Sequence, residues 1–567
     1  MYQLLHNQDM DDHSNVVNSK TIVHINRRND NGRIINLNHL NPSIAQGAFG
    51  HVDIALLVSW RRLGDKKLFR SDECQDNNGH EEHWSDHIHS VKLAAIKTIP
   101  NATIQPNGGA FDSFGSFGTQ ASHSLSTQDT PSNAAKKSSL TREAFAELHA
   151  LRFLNGHANV TPILGCYGGS EAGGLGGGGF GGWDWADSAS PQMMKSPTSL
   201  CLVFPYHPID LAESLNYRRL TPSILLPPMP KMPENLKCPK FCRVIRYQLP
   251  TIVVQAILHD ILSALHHLHS HHILHRDLKP GNLYVTMEGR VQLGDFGLAK
   301  AVPPLKENEL NPYEGGKGDI DAETGLCTLQ YRPPELLLGG SGIVYEEFNT
   351  SNSDVYCKKV HGAIDLWSAG CIMGELLTLA GPIFPGHSVL DQLARIFGIL
   401  GTPNNENWPR VDLLPDWGKV QFEENEGKGL GGLLSCVNND CKNLKTLLTN
   451  LLSLDPMKRP SAMDCLSNTW LLKSFERDCK EYRGFERYSR QCVFESMIPE
   501  PLRVIDPIFF GLGQNETCDE CAYIDPLGYA REYAAKIVAN RRKLLQVNAR
   551  FEERSGAIRN SSENTKN

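Results

Sequence analysis

Strand-like and helix-like patterns are segregated along this 567-residue chain, and that segregation limits the fold more than any other feature. The run SIAQGAFGHVDIALLV, residues 43–58, alternates around a glycine turn and reads as a hairpin, and KLAAIKTI, residues 92–99, reads as a third strand. SLCLVFPYHPIDL, residues 199–211, reads as a buried strand running into a connection. Past residue 250 the pattern changes. Ile257, Ile261 and Leu265 share one face of an apolar helix over 251–269, and helical periods recur at 363–379, 389–400 and 443–453. One helix falls earlier, near 140–154, where Leu148, Leu151 and Leu154 recur at helical spacing. Strands first and helices later predict an α+β architecture of two lobes.

Polar or glycine-rich stretches interrupt this pattern near 63–90, 100–138, 168–198, 217–249 and 340–360, and are predicted insertions within one ordered unit over 41–475. Residues 1–40, rich in Asn, Asp and Ser without an apolar period, are predicted to be a flexible arm. Residues 476–567 read as a tail with an amphipathic helix in YAREYAAKIVANRRKLLQVNARF. Its Arg541, Arg542 and Lys543 read as a solvated face, the alternative being a nucleic-acid contact.

Composition excludes little. The net charge of -7 gives no reason to expect nucleic acid as the main partner. No stretch approaches the roughly 20 uninterrupted apolar residues of a membrane span, and the polar start lacks a signal-peptide pattern, so no membrane partner is expected. The 15 cysteines, among them Cys201, Cys371 and Cys465 in apolar segments, read as reduced core residues; the expected location is cytoplasm or nucleus. Cys238 with Cys242, Cys518 with Cys521, and the cluster His80, His83, His87 and His89 could tempt a metal reading. Neither cysteine pair completes the four-ligand spacing of a structural zinc site, and the histidines read as a solvated loop.

The chemistry concentrates in HRDLKPGNLYVTMEGRVQLGDFG, residues 275–297. Asp277, Lys279, Asn282 and Asp295 stand there at intervals suited to a nucleotide phosphate and its magnesium ions. Phosphoryl transfer asks a protein mainly to position reactants and neutralise charge, so it needs one carboxylate for the acceptor hydroxyl and oxygen ligands for metal.

With the other motifs, the chain resembles a eukaryotic Ser/Thr protein kinase over residues 41–475. The resemblance implies a bilobal kinase fold and ATP with Mg2+ as cofactors. It implies that Asp277 handles the substrate hydroxyl, Lys279 steadies the transferring phosphoryl, and Asn282 and Asp295 hold magnesium. Lys97 in AAIK would hold the α and β phosphates, with Glu147 its ion-pair partner and Glu143 the competitor. The glycine loop AQGAFGHV supplies Gly47, Gly50 and Val52, with Ala45 where a first glycine is usual. Val52 and Ala95 would cover the adenine and Tyr284 would lie beneath it. Phe204 would guard the back of the pocket, with His207 the hinge donor. Glu335 and Arg459 resemble a buried pair anchoring the substrate segment, and Asp365 an aspartate propping the catalytic loop.

TLQYRPPELLLG, IDLWSAGCIMGELL and FPGHSVLDQLARIFGILGTP resemble the cyclin-dependent branch, near the cell-cycle-related kinases. Arg332 resembles part of a pocket for proline after the acceptor, so Ser-Pro or Thr-Pro protein substrates are expected, although Gln330 replaces a usual aromatic. The helix TREAFAE lacks the cyclin-binding signature, which leaves a cyclin partner open. Ala48 and Phe49 replace the usual inhibitory Thr-Tyr pair. Counting back from Thr328, the activating position falls on Glu323, a fixed charge facing Arg276, or on Thr324 as a phosphorylated residue. The rival to an active enzyme is a pseudokinase scaffold acting through its insertions and tail.

Overall fold

The computed structural model describes residues 19–24, 43–47, 50–60, 88–100, 102–103, 138–139, 142–169, 199–220, 249–302, 327–340, 344–349, 356–409, 411–431, 442–471, 480–503, 536–537 and 539–541. His80, His83 and His87, the His89 side chain, both cysteine pairs, Ala48, Phe49, Glu323 and Thr324 lie outside them.

A six-stranded sheet leads the chain, built from β1 (Ser19–His24), β2 (Ser43–Gly47), β3 (Gly50–Trp60), β4 (Ile88–Pro100), β7 (Gly165–Gly169) and β8 (Ser199–Pro205). Its order is β1-β3-β4-β8-β7, with β2 on β3. A short pair, β5 (Ala102–Thr103) and β6 (Ser138–Ser139), and helix α1 (Arg142–Leu154) intervene in sequence. Ile54, Ala94, Ile96 and Leu202 are buried, as alternation along β-branched and apolar runs requires.

The helical part follows. After β9 (Ile209–Asp210) come α2 (Leu211–Leu220) and α3 (Thr251–Ser270). A group of short strands then carries the loop 275–282: β10 (Ile273–Leu274), β11 (Leu283–Val285), β12 (Val291–Leu293) and β13 (Lys300–Ala301). Next are α4 (Pro334–Leu337), the hairpin β14 (Val344–Asn349) and β15 (Tyr356–His361), α5 (Ala363–Thr378), α6 (Val389–Leu400), α7 (Lys442–Leu451), α8 (Ala462–Leu466) and α9 (Lys480–Met497). By length and composition α3 could cross a membrane, but 72% of its apolar window is buried against α5, α8, α9 and β12, the setting of a core helix. The loop after α1 ties the sheet to this part: Thr161 N donates to Leu293 O at 2.9 Å, and Asn159 Nδ2 donates to Val291 O at 3.0 Å.

Several expected boundaries are corrected. Ser19–His24 lies within the predicted arm, yet its run Lys-Thr-Ile-Val pairs with β3 from Ala55 to Trp60. The insertion near 63–90 ends earlier, because β4 begins at Ile88 and pairs there with Trp60. The one near 168–198 begins inside β7. The stretch 217–249 opens as the end of α2, whose Arg219 donates to Leu379 O at 3.0 Å and pairs with Glu375. The stretch 340–360 holds β14 and most of β15.

The largest correction concerns the tail, which is built into the fold. Arg490 of α9 is 8% exposed and donates to both oxygens of Asp260 on α3, at 2.5 and 2.9 Å. The closing carbonyls of α9 are taken up by α2: Ser214 Oγ donates to Met497 O, and Arg218 Nε to Ser496 O. Carbonyls at a helix C-terminus lack intrahelical partners, and two side chains of another helix satisfy these. Arg541, read as part of a solvated face, is 6% exposed.

Candidate active site

Lys97 sits on β4 opposite Val52 of β3, beside the turn at which Gly47 pairs with Gly50. Ala45 pairs with Val52, so the residue standing where a first glycine is usual keeps an ordinary strand register. The Lys97 ammonium lies 2.9 and 2.7 Å from the two Glu147 oxygens and 2.7 Å from Asp295 Oδ1. Glu147 projects from α1 and is 2% exposed, and Asp295 follows β12. The Glu143 side chain lies outside the described residues. Burial works against the Lys97 charge, but the Glu147 and Asp295 carboxylates outweigh it and hold the ammonium above its ordinary pKa. Burial likewise pushes Asp295 up, and Lys97 outweighs it, leaving that carboxylate below its usual range.

Asp277 lies in the loop after β10. Its Oδ2 accepts from Lys279 Nζ at 2.6 Å and Asn282 Nδ2 at 3.3 Å, and its Oδ1 from the Thr328 amide and hydroxyl, each at 3.0 Å. Asn282 also donates to Asp277 O at 2.8 Å. Its amide nitrogen is thus spent on Asp277, which leaves Oδ1 as its acceptor. That oxygen and the Asp295 carboxylate are hard donors of the type magnesium takes, so the residues present fit the ion.

Asp365 of α5 fixes the loop from behind. Its carboxylate accepts from the His275 amide at 3.0 Å and the Arg276 amide at 2.9 Å, and lies 2.9 Å from His269 Nε2. Arg276 has φ 66°, a left-handed backbone that a non-glycine residue adopts only when its surroundings enforce it. Burial pushes Asp365 up, yet the His269 hydrogen bond and its other donors prevail and lower its pKa. His275 Nδ1 accepts from the Asp277 amide, so its proton sits on Nε2, which donates to Gly294 O at 3.1 Å. Phe296, fully buried, packs edge-on to His275 with ring centroids 5.1 Å apart.

The residues expected around the base lie on strands next to this set. Ala95 pairs with Phe204 across β4 and β8, and Tyr284 of β11 stacks on His207 with ring centroids 5.5 Å apart. Burial drives the His207 pKa down to about 4, so the imidazole is neutral at pH 7. Pro205 and Pro208 have no N–H to give, and the Tyr206 amide reaches Leu93 O at 3.4 Å.

Below the loop, Glu335 and Arg459 form a bidentate pair at 2.6 and 2.8 Å, and the guanidinium stacks over Trp367. Arg332 donates twice to the Cys327 carbonyl, at 3.2 and 2.7 Å, and Cys327 has φ 66°. Gln330 reaches Gly386 O at 3.2 Å, joining the substrate segment to the FPG turn.

Residues 229–471 match the family model of the protein kinase domain. The match spans α3, the catalytic loop, Asp295 and the Glu335–Arg459 pair, and it supports a protein kinase with protein substrates. Such a domain generally uses ATP and Mg2+. Lys97 and Glu147 precede the matched span and enter the site by geometry.

Thr328, a counting mark in the sequence, belongs to the site, since its two donors fix one Asp277 oxygen. His269, Asp260 and Arg490 are further members that no sequence motif marks. Thr328 follows Cys327 directly before the recognised QYRPPE string, a signal within reach. Asp260 carried none, since an aspartate in an apolar helix reads as solvent-facing. Among the described residues no cluster of His, Cys, Asp or Glu could hold a metal of its own.

Proposed function

We propose that this chain is an active, proline-directed Ser/Thr protein kinase of the cyclin-dependent-like branch, transferring the γ-phosphoryl of ATP to protein hydroxyls. The observation that carries activity, against a scaffold, is that the Lys97–Asp295 pair and the Asp277–Lys279–Asn282 group lie next to each other, joined where the Gly294 amide donates to Asn282 O at 3.0 Å. In this reading Lys97, held by Glu147, meets the α and β phosphates, and Asn282 Oδ1 with Asp295 holds Mg2+, which neutralises phosphate charge when bound. Asp277 orients the acceptor hydroxyl and accepts its proton, and Lys279 beside it neutralises charge on the transferring group. The base lies between Val52 and Ala95 above and Tyr284 below, with the His207 amide as donor.

Preference for proline is supported at Cys327. The carbonyl that could accept an N–H from the residue after the acceptor is already spent on Arg332. A residue with an N–H would bring an unsatisfied donor there, whereas proline has none to leave unpaired. Buried free thiols at Cys201, Cys371 and Cys465 fit a cytoplasmic or nuclear setting.

Transfer of labelled phosphate by the purified chain to Ser-Pro and Ser-Ala peptides tests both parts. Wild type should favour Ser-Pro by about tenfold or more in kcat/KM, and Asp277→Asn should abolish most transfer. Equal use of both peptides would sink the proline reading, and equal rates in wild type and Asp277→Asn would sink the assignment of the site.

A further inference from the structure

Arg541, in the short C-terminal stretch 539–541, reaches the segment that links β8 to α2, the place where the proposed nucleotide site opens. Arg541 Nη1 donates to Pro208 O at 3.2 Å and Nη2 to Glu213 Oε2 at 2.9 Å. The guanidinium also faces Tyr206 and Asp210. Ile537 nearby is likewise buried, at 6% exposed.

These contacts straddle β9. Asp210 of β9 pairs with Tyr284 of β11, and its Oδ1 accepts from the Glu213 amide at 2.9 Å, capping the start of α2. One guanidinium therefore joins the carbonyl entering β9 to the carboxylate leaving it. The link needs such support, because Pro205 and Pro208 donate no backbone hydrogen bond and the Tyr206 amide makes only a long one. Arg541 supplies from outside what this backbone cannot supply itself.

The charge balance agrees. Burial works against the Arg541 charge, but Glu213 first, then Tyr206 and Asp210, outweigh it and raise the pKa. Asp210 is pushed up to about 7 by burial and then by Glu213, while Arg541 pulls the other way. Removing the guanidinium would leave two carboxylates at the base of the hinge with less compensation.

We propose that the C-terminal segment is an intramolecular clamp on the hinge and that Arg541 is a positioning residue for ATP, a role that rests on the kinase reading above. It acts through the Pro208–Glu213 link and touches no reacting atom. Loss of the clamp loosens the hinge and weakens nucleotide binding, while the phosphate-handling residues stay in place.

The test uses the full chain as wild type, Arg541→Ala and Arg541→Lys. Arg541→Ala should raise KM for ATP about tenfold while kcat changes by less than about twofold. Amide exchange across residues 206–213 should quicken in the nucleotide-free protein. Arg541→Lys, able to meet one of the two acceptors, should fall between. An unchanged KM and exchange rate in Arg541→Ala would overturn the clamp while leaving the kinase reading intact. A parallel loss of kcat and thermal stability at constant KM would also overturn it, in favour of a merely structural contact. If wild type neither bound ATP nor transferred phosphate, the kinase reading would fail first and the nucleotide role of Arg541 with it.

Discussion

Replacing Arg490 by Met is the sharpest test of whether the tail is part of the folded unit. The Arg490 side chain is 9% exposed and makes two charge-assisted hydrogen bonds to Asp260, itself 1% exposed. Without it, Asp260 keeps the Val291 amide at 2.8 Å and His259 at 3.8 Å, too little to solvate a buried carboxylate. Breaking a buried pair from one side costs about 3–5 kcal/mol, which for a folded unit of this size lowers Tm by roughly 5 °C. Replacing both partners, as Asp260→Leu with Arg490→Met, should recover much of that loss, since no charge remains buried alone. The pH dependence carries a second signature. In wild type, burial raises the Asp260 pKa, but the nearby His259 imidazole and the Arg490 charge prevail and lower it. A depressed carboxylate contributes stability that is present above its unfolded pKa, about 4, and is lost as pH falls through the folded value. In Arg490→Met burial dominates, the folded pKa rises above the unfolded one, and the sign reverses. The gap in Tm between wild type and variant should therefore shrink as pH is lowered from 7.5 toward 4.5. Scanning fluorimetry across that range reads both signatures. A loss below about 1 kcal/mol, or a gap independent of pH, would refute the docked tail.

Other outcomes follow from single contacts. Asp277→Asn should lower kcat by about 10²–10⁴ with Tm nearly unchanged, measured by phosphate transfer and calorimetry. Thr328→Val removes the hydroxyl that fixes Asp277 Oδ1 at 3.0 Å and should cost about tenfold in kcat, with Thr328→Ser close to wild type. Gly289→Ala meets two obstacles, φ 72° and a Cβ that would lie 2.0 Å from Arg490 O, and should destabilise by about 1–3 kcal/mol in urea unfolding. For His207, the folded pKa of about 4 lies below the unfolded value, so folded wild type resists protonation and loses stability as pH falls below about 6.5. His207→Leu should flatten the pH profile of Tm between about pH 6.5 and 4.5.

How far the sequence could be read depended on where each signal came from. Lys97 and Glu147 were legible only through the kinase resemblance, in which AAIK marks the strand lysine and the count back from Leu151 and Leu154 favours Glu147 over Glu143 as its partner; strand and helix periodicity alone do not pair them. The loop at 275–297 was legible because its chemistry demands fixed residue types at short intervals. α9 was not, because the residue that docks it is a charge. Arg490 and Asp260 each read as surface on a helical wheel, and only their mutual approach across 230 residues makes either one interior. β1 failed for a related reason: Lys-Thr-Ile-Val is a short strand whose partner is the far end of β3, beyond where the hairpin signal faded. The Arg541 contacts span 328 and 333 residues, a separation on which local periodicity is silent.

The tail contacts share one target, and this explains how a helix remote from the chemistry can bear on it. Arg490 holds Asp260, whose Oδ2 also accepts from the amide of Val291 at the start of β12, and β12 leads directly to Asp295. The same Arg490 presents its carbonyl to Gly289, in the turn between β11 and β12, so closely that no side chain fits between them. Ser214 and Arg218 tie the end of α9 to α2, and Arg541 ties a later segment to the residues just before α2. The turn that carries Tyr284 toward Asp295 and the link that carries His207 are thus each braced from the C-terminal side. Tyr284 stacks on His207 and pairs with Asp210, so the two braces meet at the floor of the proposed base pocket. A perturbation of either should therefore appear first in nucleotide binding, and only a larger one in phosphoryl transfer, because Asp277 and its loop are held separately by Asp365 of α5.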